Sequence, residues 1–409
     1  MTGIDRLVCH ETPGATLLAS LSGGRLVEVA VATKDHTDLT GALILGRIER
    51  FVPELDAAFV DIGAARAGFL RRGDMVGFDS ERPQAGLPIL VQVTRDALED
   101  KGARLTMNLG LVGRYLVFHP HGEGAQLSRR VVEDAVRERL LAAVAEVGAD
   151  EGGWVVRTAA SGATREAIMS EGQALLVRWE GLRTRALALR PPTVLATEPH
   201  PLLKAVRDRG GTLAEIALDD RALALQARRA LDSFEDRAEL RVVIGNGDVL
   251  DTHDVAGQIE AALRDHVVLP SGVELLFEPG RTLCAVDVDS GSAGARQGQG
   301  PRTPLDVNLD AAEEIARQLR LRNIGGIVVV DFIDMRAPGD RARVQALLAE
   351  RVADDPVPTQ VVGATRLGLM ELTRARRGPT LAQAIDAFER ANEAHEAGPA
   401  DAGGAGKEP

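Results

Sequence analysis

The chain has 409 residues, of which 45% are hydrophobic and 26% are charged, a composition typical of soluble proteins that bury a core. This length allows roughly two to four domains of about 100–200 residues each. The formal net charge of −12 argues against bulk electrostatic attraction to nucleic acid, although it is compatible with a local basic groove. With only Cys9 and Cys284, the sequence excludes a disulfide framework and a cysteine zinc cluster.

Membrane and secretion signals are missing from the sequence. No run of about 18 apolar residues is present, so we predict no transmembrane helix. The first residues, MTGIDRLVCHETPG, lack the basic start and the apolar stretch of a secretory signal. A cytoplasmic location is the simplest expectation.

The first hundred residues alternate like short β-strands. Residues 16–33 form a predicted hairpin around Gly23-Gly24. Further strands are predicted within 41–70, 87–95 and 102–108, and several short strands at this spacing predict a small barrel.

Two phenylalanines on the predicted barrel are candidates for binding unpaired bases. Phe59 and Phe69 lie ten residues apart in a chain with only 3% aromatic residues, and Lys101 adds a cation to the same segment. Exposed on a barrel surface, the two rings can stack on bases. The alternative interpretation is that they pack in the core.

Residues 115–272 read as mixed α/β structure. An amphipathic helix is predicted over 131–147 and a strand over 153–158. Between residues 157 and 190 six arginines face three glutamates, which gives a local charge of +3. After Pro191-Pro192, a boundary signal, helices and strands alternate and can complete a sheet with the N-terminal strands.

The stretch 283–335 predicts a strand, a helix and a second strand. Residues 283–289 alternate, with Asp287 and Asp289 on one face. A helical stripe begins at residue 309, with Asn308 as a plausible N-cap, and Gly325-Gly326 ends the helix. The β-branched run 327–330 is typical of a strand buried on both faces.

Carboxylates follow both strands of this unit. Parallel strands joined by one crossover end at the same sheet edge, which brings Asp287 and Asp331 together, with Asp289 and Asp334 nearby. Mg²⁺ takes one or two protein carboxylates, keeps several waters and meets substrate phosphate. The aspartates therefore predict a metal site; the alternative is that they cap turns at a solvated edge.

Several motifs resemble the ribonuclease E/G family. Residues 46–70 resemble its OB-fold RNA-binding domain of the ribosomal S-one type, and residues 100–103 and 127–130 continue that pattern. Residues 156–159 (VRTA) resemble the family's 5′-sensor. The strongest matches are AVDVDS, AAEEIARQLRLRNIGGIVVVDFIDM and TRLGLMELTRAR, at 285–290, 311–335 and 365–376.

The resemblance assigns roles to matching positions. It implies that Phe59, Phe69 and Lys101 touch single-stranded RNA, and that Arg157 and Thr158 hold its 5′-monophosphate. It also implies catalysis by Asp287, Asp331 and Asp289, with Mg²⁺ held by the first two. Asp289 stands where the family pattern has asparagine, so its added charge can tighten metal binding or retain a proton.

The resemblance implies an α/β and β multidomain fold. A split ribonuclease-H-like subdomain (1–35 and 194–272) would contain an inserted OB-fold barrel (36–114) and a 5′-sensor region (115–193). A deoxyribonuclease-I-like α/β subdomain (273–385) would follow, and residues 386–409, rich in Ala, Gly and Glu from Ala391, would form a disordered tail.

The sequence departs from the family after residue 376. No Cys-Pro-x-Cys zinc link or small dimerisation domain follows, so we expect no zinc and a monomer or weak homodimer. The arginines at 366, 374, 376 and 377 either lie along RNA phosphates or form a solvated helix face.

The function that the resemblance implies is a Mg²⁺-dependent endoribonuclease. It would hydrolyse single-stranded RNA in RNA processing, including that of ribosomal RNA, or in mRNA decay, with stimulation by a 5′-monophosphate. Two other classes remain: a non-catalytic RNA-binding or ribosome-associated protein, and a metal phosphodiesterase for small molecules.

Overall fold

The computed structural model describes residues 3–34, 39–77, 83–97, 101–128, 130–148, 151–209, 211–234, 238–243, 248–294 and 302–397. The chain forms two compact units: Met1–His36 with Gly210–Pro409, and Thr37–Arg209 between them in sequence. None of the helices in these ranges has the length and apolar character needed to cross a membrane.

The first unit begins with an antiparallel sheet. Gly23 and Gly24, with φ of +57° and +80°, form the predicted turn between the second and third strands, where other residues would be strained. The strands are β1 Arg6–Glu11, β2 Ala15–Ser22 and β3 Arg25–Thr33.

The second unit begins with a closed barrel of five strands. The strands pair in the order β4, β5, β6, β8, β7, and β7 pairs back with β4. Gly102 permits closure because a Cβ there would lie 2.0 Å from the carbonyl oxygen of Ala67. The predicted small barrel is thus confirmed. Its strands are β4 Leu43–Val52, β5 Ala57–Asp61, β6 Gly68–Arg71, β7 Pro88–Arg95 and β8 Arg104–Thr106.

A four-stranded sheet and two helices complete most of this unit. The strands are β9 Leu111–Val112, β10 Leu116–His119, β11 Ala125–Leu127 and β12 Gly153–Val156, and the helices are α1 Asp134–Gly148 and α2 Arg165–Ala188. Trp154 and Phe118 fill the core, with ring centroids 4.6 Å apart. The unit ends with β13 Thr193–Ala196, which pairs with β4, and α3 Pro201–Arg209.

The first unit resumes by extending its sheet. Strand β14 (Glu215–Leu218) pairs parallel with β1, and β15 (Glu239–Val242) pairs parallel with β14. The completion of the N-terminal sheet, predicted from the sequence, is confirmed. Helices α4 (Arg221–Ser233) and α5 (Val255–Leu263) accompany these strands.

The last sheet has helices α6 and α7 on one face. Its six strands follow the order β16, β17, β18, β19, β21, β20, and only β18 and β19 run parallel. Residues of α6 and α7 share one core with the sheet. The elements are β16 His266–Val268, β17 Glu274–Pro279, β18 Leu283–Asp289, α6 Pro304–Leu321, β19 Gly326–Asp331, α7 Pro338–Ala353, β20 Thr359–Ala364 and β21 Met370–Arg374.

The predicted strand–helix–strand unit is confirmed, with three corrections. Helix α6 begins five residues earlier than expected because Thr303 and Asp306 form a capping box, so Asn308 is no N-cap. The helix ends at Leu321, before the glycine pair. Strand β19 is buried on one face only: Val328 and Val330 are covered, whereas Ile327 is half exposed.

An ion-pair network joins α6 to the N-terminal hairpin. Glu314, only 2% exposed, bonds to Arg25 beyond the β2–β3 turn and to Arg317, whose Nη1 donates to the carbonyl of Leu26. Burial opposes ionisation of Glu314, but its hydrogen bonds and the neighbouring arginine charges outweigh it and hold the pKa below the ordinary value. The hairpin therefore contacts α6 directly, and α6 in turn packs on the last sheet.

The C-terminal segment is more ordered than the composition predicted. Helix α8 spans Leu381–Glu396 and has a capping box formed by Thr380 and Gln383. The prediction of disorder is wrong as far as Glu396, because the apolar positions of α8 pack on the first sheet, where Phe388 and Leu381 join its core. Residues 398–409 lie outside the described part of the chain.

Candidate nuclease site

The two predicted metal ligands lie side by side. Asp287 and Asp331 are register partners at the C-terminal ends of parallel strands β18 and β19, so their Cα atoms are about 4.8 Å apart. Both side chains are on the face of the sheet opposite the core and are exposed. Within the described ranges neither carboxylate forms a hydrogen bond or an ion pair, so both remain available to a ligand.

Asp289 differs from this pair. Its Oδ1 accepts a hydrogen bond from the backbone N–H of Gly291 at 2.8 Å and so caps the turn after β18. Glu274 is its antiparallel neighbour on β17 and bonds to His266 Nε2 at 2.9 Å. The carboxylate of Glu274 therefore lies beside Asp289. The hydrogen bond of Asp289 to Gly291 matches the alternative interpretation, in which these aspartates cap turns at the sheet edge.

A buried asparagine holds the segment that follows Asp331. The side chain of Asn308 is fully buried in α6. Its Nδ2 donates to the carbonyl of Ile333 at 2.8 Å, and its Oδ1 accepts from the N–H of the same residue at 3.0 Å. This two-way clamp fixes the backbone between Asp331 and Asp334, the two carboxylates that flank Ile333.

The residues present fit a hard divalent cation. Across the described segments no three His, Cys, Asp or Glu side chains form a ready cage for a metal. Mg²⁺ needs no such cage, since it takes one or two carboxylates and completes its shell with water and phosphate oxygens. The unpartnered pair Asp287 and Asp331 has that chemistry.

The barrel places its two predicted aromatic residues together. Phe59 and Phe69 are register partners on β5 and β6, with ring centroids 5.7 Å apart. Both are partly exposed, and the guanidinium of Arg50 lies 4.7 Å from the Phe59 ring. Lys101 is exposed two residues before Ala103, whose carbonyl accepts from the N–H of Phe69. A cation-flanked aromatic surface results.

Arg157 and Thr158 follow β12 directly. Arg157 Nη1 donates to the carbonyl of Gly113 at 2.6 Å and lies 2.9 Å from Asp208 Oδ1. Thr158 Oγ1 lies 3.0 Å from Ser128 Oγ and is exposed. Both contacts use Nη1, and among the described residues Nε and Nη2 of Arg157 have no hydrogen-bond partner.

Asp208 is a partner of Arg157 that the sequence reasoning missed. Burial opposes its ionisation, but hydrogen bonds and charges from Arg207 and then Arg157 outweigh it, so the pKa of Asp208 stays below its ordinary value. The charged form of the Asp208 carboxylate is therefore favoured, and it pairs with Arg157. Its separation of about 50 residues from Arg157 gave no local signal, and the same holds for the Asn308 clamp.

The C-terminal arginine cluster is only partly available to RNA. The segment contains a strand, β21, and no helix, and of the four arginines only Arg374 is in the strand. Arg374 is 3% exposed and binds Asp355 at 2.8 Å, so it is not free to contact phosphates. Asp100 and Arg129, which belong to the motifs quoted above, lie outside the described residues, as does most of the Gly/Gln-rich stretch after Gly294.

Comparison with known proteins gives consistent matches. Residues 110–377 match the Ribonuclease E/G family. Ribonuclease G of Haemophilus influenzae is 32% identical over 395 residues, which is 92% of this chain and 80% of that protein. Ribonuclease G of Escherichia coli K12 is 33% identical, with 90% and 79% covered. Ribonuclease E of a Nostoc species is 34% identical, with 89% and 55% covered.

The matched region contains both strands with the paired aspartates, the clamp at Asn308 and the segment after β12. The alignments to the ribonucleases G also extend across most of the barrel and of the first sheet, since they cover about nine-tenths of the chain. The chain therefore belongs to the ribonuclease E/G family.

Proposed function

We propose that the chain cleaves single-stranded RNA internally by hydrolysis, with Mg²⁺ held by Asp287 and Asp331. As a member of the ribonuclease E/G family the chain is an endoribonuclease. The observation that supports the finer proposal is the register pairing of the two free carboxylates. The proposed role is RNA processing or decay in the cytoplasm.

Each residue of the pair has a definite task. A divalent cation bound to these two carboxylates would lower the pKa of its water and offset charge on the scissile phosphate. Asp287 and Asp331 supply the negative oxygens that hold it, and Asn308 keeps the segment after Asp331 in place. Water adds to phosphorus as the bond to the 3′ oxygen breaks, which gives a 5′-phosphate and a 3′-hydroxyl product.

The barrel surface supports a single-stranded substrate. Phe59 and Phe69 offer ring faces to unpaired bases, and Arg50 and Lys101 offer cations to the backbone. Stacking contributes about 1–3 kcal/mol per base and tolerates any sequence. A double helix buries its base faces, so these rings favour unpaired RNA.

The segment after β12 supports recognition of a 5′-monophosphate. Arg157 presents free donors for a phosphate, and the Thr158 and Ser128 hydroxyls lie beside it. Arginine suits phosphate because its planar fork makes paired, charge-assisted hydrogen bonds. In this proposal Asp208 holds the guanidinium in its orientation.

The proposal is tested with a 5′-monophosphorylated single-stranded RNA incubated with Mg²⁺ or with EDTA. We expect internal cleavage that requires Mg²⁺ and that Asp287→Asn and Asp331→Asn abolish. Asp386→Asn, at an exposed position on α8, is the matched control and should retain wild-type activity. Tight binding without cleavage would instead indicate a binding protein, and hydrolysis of small phosphodiesters alone would indicate the third class.

Recognition of the 5′ end is tested separately. We expect faster cleavage of 5′-monophosphorylated RNA than of the 5′-triphosphate form, and loss of that preference in Thr158→Val and Arg157→Lys. Asp208→Asn should weaken the preference without changing cleavage of 5′-hydroxyl RNA. Equal wild-type rates on the two substrates would contradict the sensor while leaving the nuclease intact.

A further inference from the structure

A small cleft opens beside Asp331. It lies between the segment after β19, the start of α7 and the turn that joins β20 to β21. Its floor is apolar, since Phe332 and Met370 are buried there and Met335 is partly exposed. Asp331 itself is part of the wall, so the cleft is continuous with the proposed metal site.

The turn that borders the cleft is held firmly. Thr365 accepts hydrogen bonds at Oγ1 from the N–H groups of Leu367 (3.2 Å) and Leu369 (3.1 Å), and its own N–H donates to Leu369. Gly368, with φ of +94°, completes the turn. This turn presents Leu367, 88% exposed, at the lip of the cleft.

One arginine lines the same cleft, and a second lies in the turn beside Leu367. Arg341 lines it from the first turn of α7, is exposed and has no hydrogen bond or ion pair within the described ranges. Arg366 precedes Leu367 in the turn and is exposed as well. An apolar floor with a rigid apolar lip and one lining cation matches a ligand that carries both a flat apolar face and a negative charge. The carboxylates of Asp331 and Asp334 also line the cleft, so the negative group of such a ligand belongs on the Arg341 side.

We propose that this cleft is a base-binding subsite for a nucleotide that flanks the scissile phosphate. The base lies over Met335 and Met370 against Leu367, and the adjoining phosphate lies near Arg341. The assignment rests on the proposed nuclease function. Because Asp331 is shared by the cleft and the metal site, only a nucleotide next to the cut is close enough to occupy it.

The proposal is tested by abasic substitution in a short RNA with one cleavage site. Removing the base at each position near the cut should lower wild-type kcat/KM about tenfold at one flanking position, which is the cost of losing one buried apolar contact. Leu367→Ser should lower kcat/KM about tenfold on intact RNA. It should show no further loss when that base is absent. Arg341→Gln should weaken the binding of all RNA sequences to a similar extent. It should also reduce the slope of log binding constant against log salt concentration by about one.

The matched control is Leu225→Ser, at an apolar position 55% exposed on α4, which should leave every rate unchanged. Additive losses from Leu367→Ser and from base removal would overturn the subsite, as would an oligomer in the wild type that Leu367→Ser dissociates. Both results are distinct from failure of the nuclease proposal, in which the wild type would not cleave intact RNA with Mg²⁺ at all.

Discussion

Replacing Asn308 by alanine separates positioning of the metal site from stability of the fold. The substitution removes both hydrogen bonds to the backbone of Ile333 and leaves an N–H and a carbonyl without partners. An unsatisfied buried group costs about 1–3 kcal/mol, so with two such groups the segment after Asp331 should lose about 2–6 kcal/mol of its local stability. That loss falls on the backbone that carries Asp331 and Asp334.

The assay is the Mg²⁺ dependence of cleavage, measured together with thermal unfolding. A change of about 1.4 kcal/mol in the cost of forming the ligand geometry shifts the half-saturating Mg²⁺ concentration tenfold, so we expect a rise of at least about tenfold. Saturating Mg²⁺ should restore much of kcat. This pattern distinguishes positioning of the ligands from loss of folded protein.

The control is Asn323→Gly. Asn323 precedes β19, at the end of that strand opposite Asp331, and its Nδ2 donates to the carbonyls of Arg377 and Pro379. Its φ of +51° is one that glycine adopts without strain. Asn323→Gly should lower the melting temperature without changing the half-saturating Mg²⁺ concentration. If Asn308→Ala lowers the melting temperature and leaves that concentration unchanged, the positioning argument is refuted.

Three further predictions follow from the contacts. Phe59→Ala should raise KM by about tenfold or more with little change in kcat, since stacking contributes about 1–3 kcal/mol per base; an unchanged KM would contradict RNA stacking. Glu314→Ala should cost about 3–5 kcal/mol in unfolding free energy, because it leaves buried arginine charge unpaired, whereas Arg25→Ala at an exposed site should cost at most about 1 kcal/mol; denaturant titration compares the two. A hydrogen bond that His10 Nδ1 donates to Asp219 raises the pKa of His10 above its ordinary value of 6.5. The protonated imidazole therefore stabilises the folded state fully below pH 6.5, and this stabilisation is lost as the pH rises through the raised pKa. Asp219→Asn should abolish that pH dependence of the unfolding free energy.

Local patterns predicted the elements around the site well. The alternation of residues 283–289 and the β-branched run before Asp331 located both strands, and the single crossover made them parallel. The barrel was predicted from strand spacing alone. Its closure depends on the pairing of β7 with β4, which brings together residues 41 to 49 positions apart.

Long-range contacts account for what the sequence did not reveal. Asn308 was interpreted as an N-cap because asparagine favours that position, yet the capping box of Thr303 is stronger and frees Asn308 to clamp a backbone 25 residues away. Arg374 belongs to an arginine-rich motif, but only the fold shows that its side chain is buried and forms an ion pair with Asp355. Pairings of this kind depend on the tertiary structure, which residue type and spacing alone do not predict.

The contact between the N-terminal hairpin and α6 also sets an order of events during synthesis. Arg25 leaves the ribosome 289 residues before Glu314, a delay of about 15–60 s at about 5–20 residues per second. Strand β1 likewise waits for β14, its parallel neighbour, while Thr37–Arg209 is made in one continuous piece. The nascent hairpin therefore exposes apolar strand edges throughout that interval, which makes it the segment most in need of protection from aggregation.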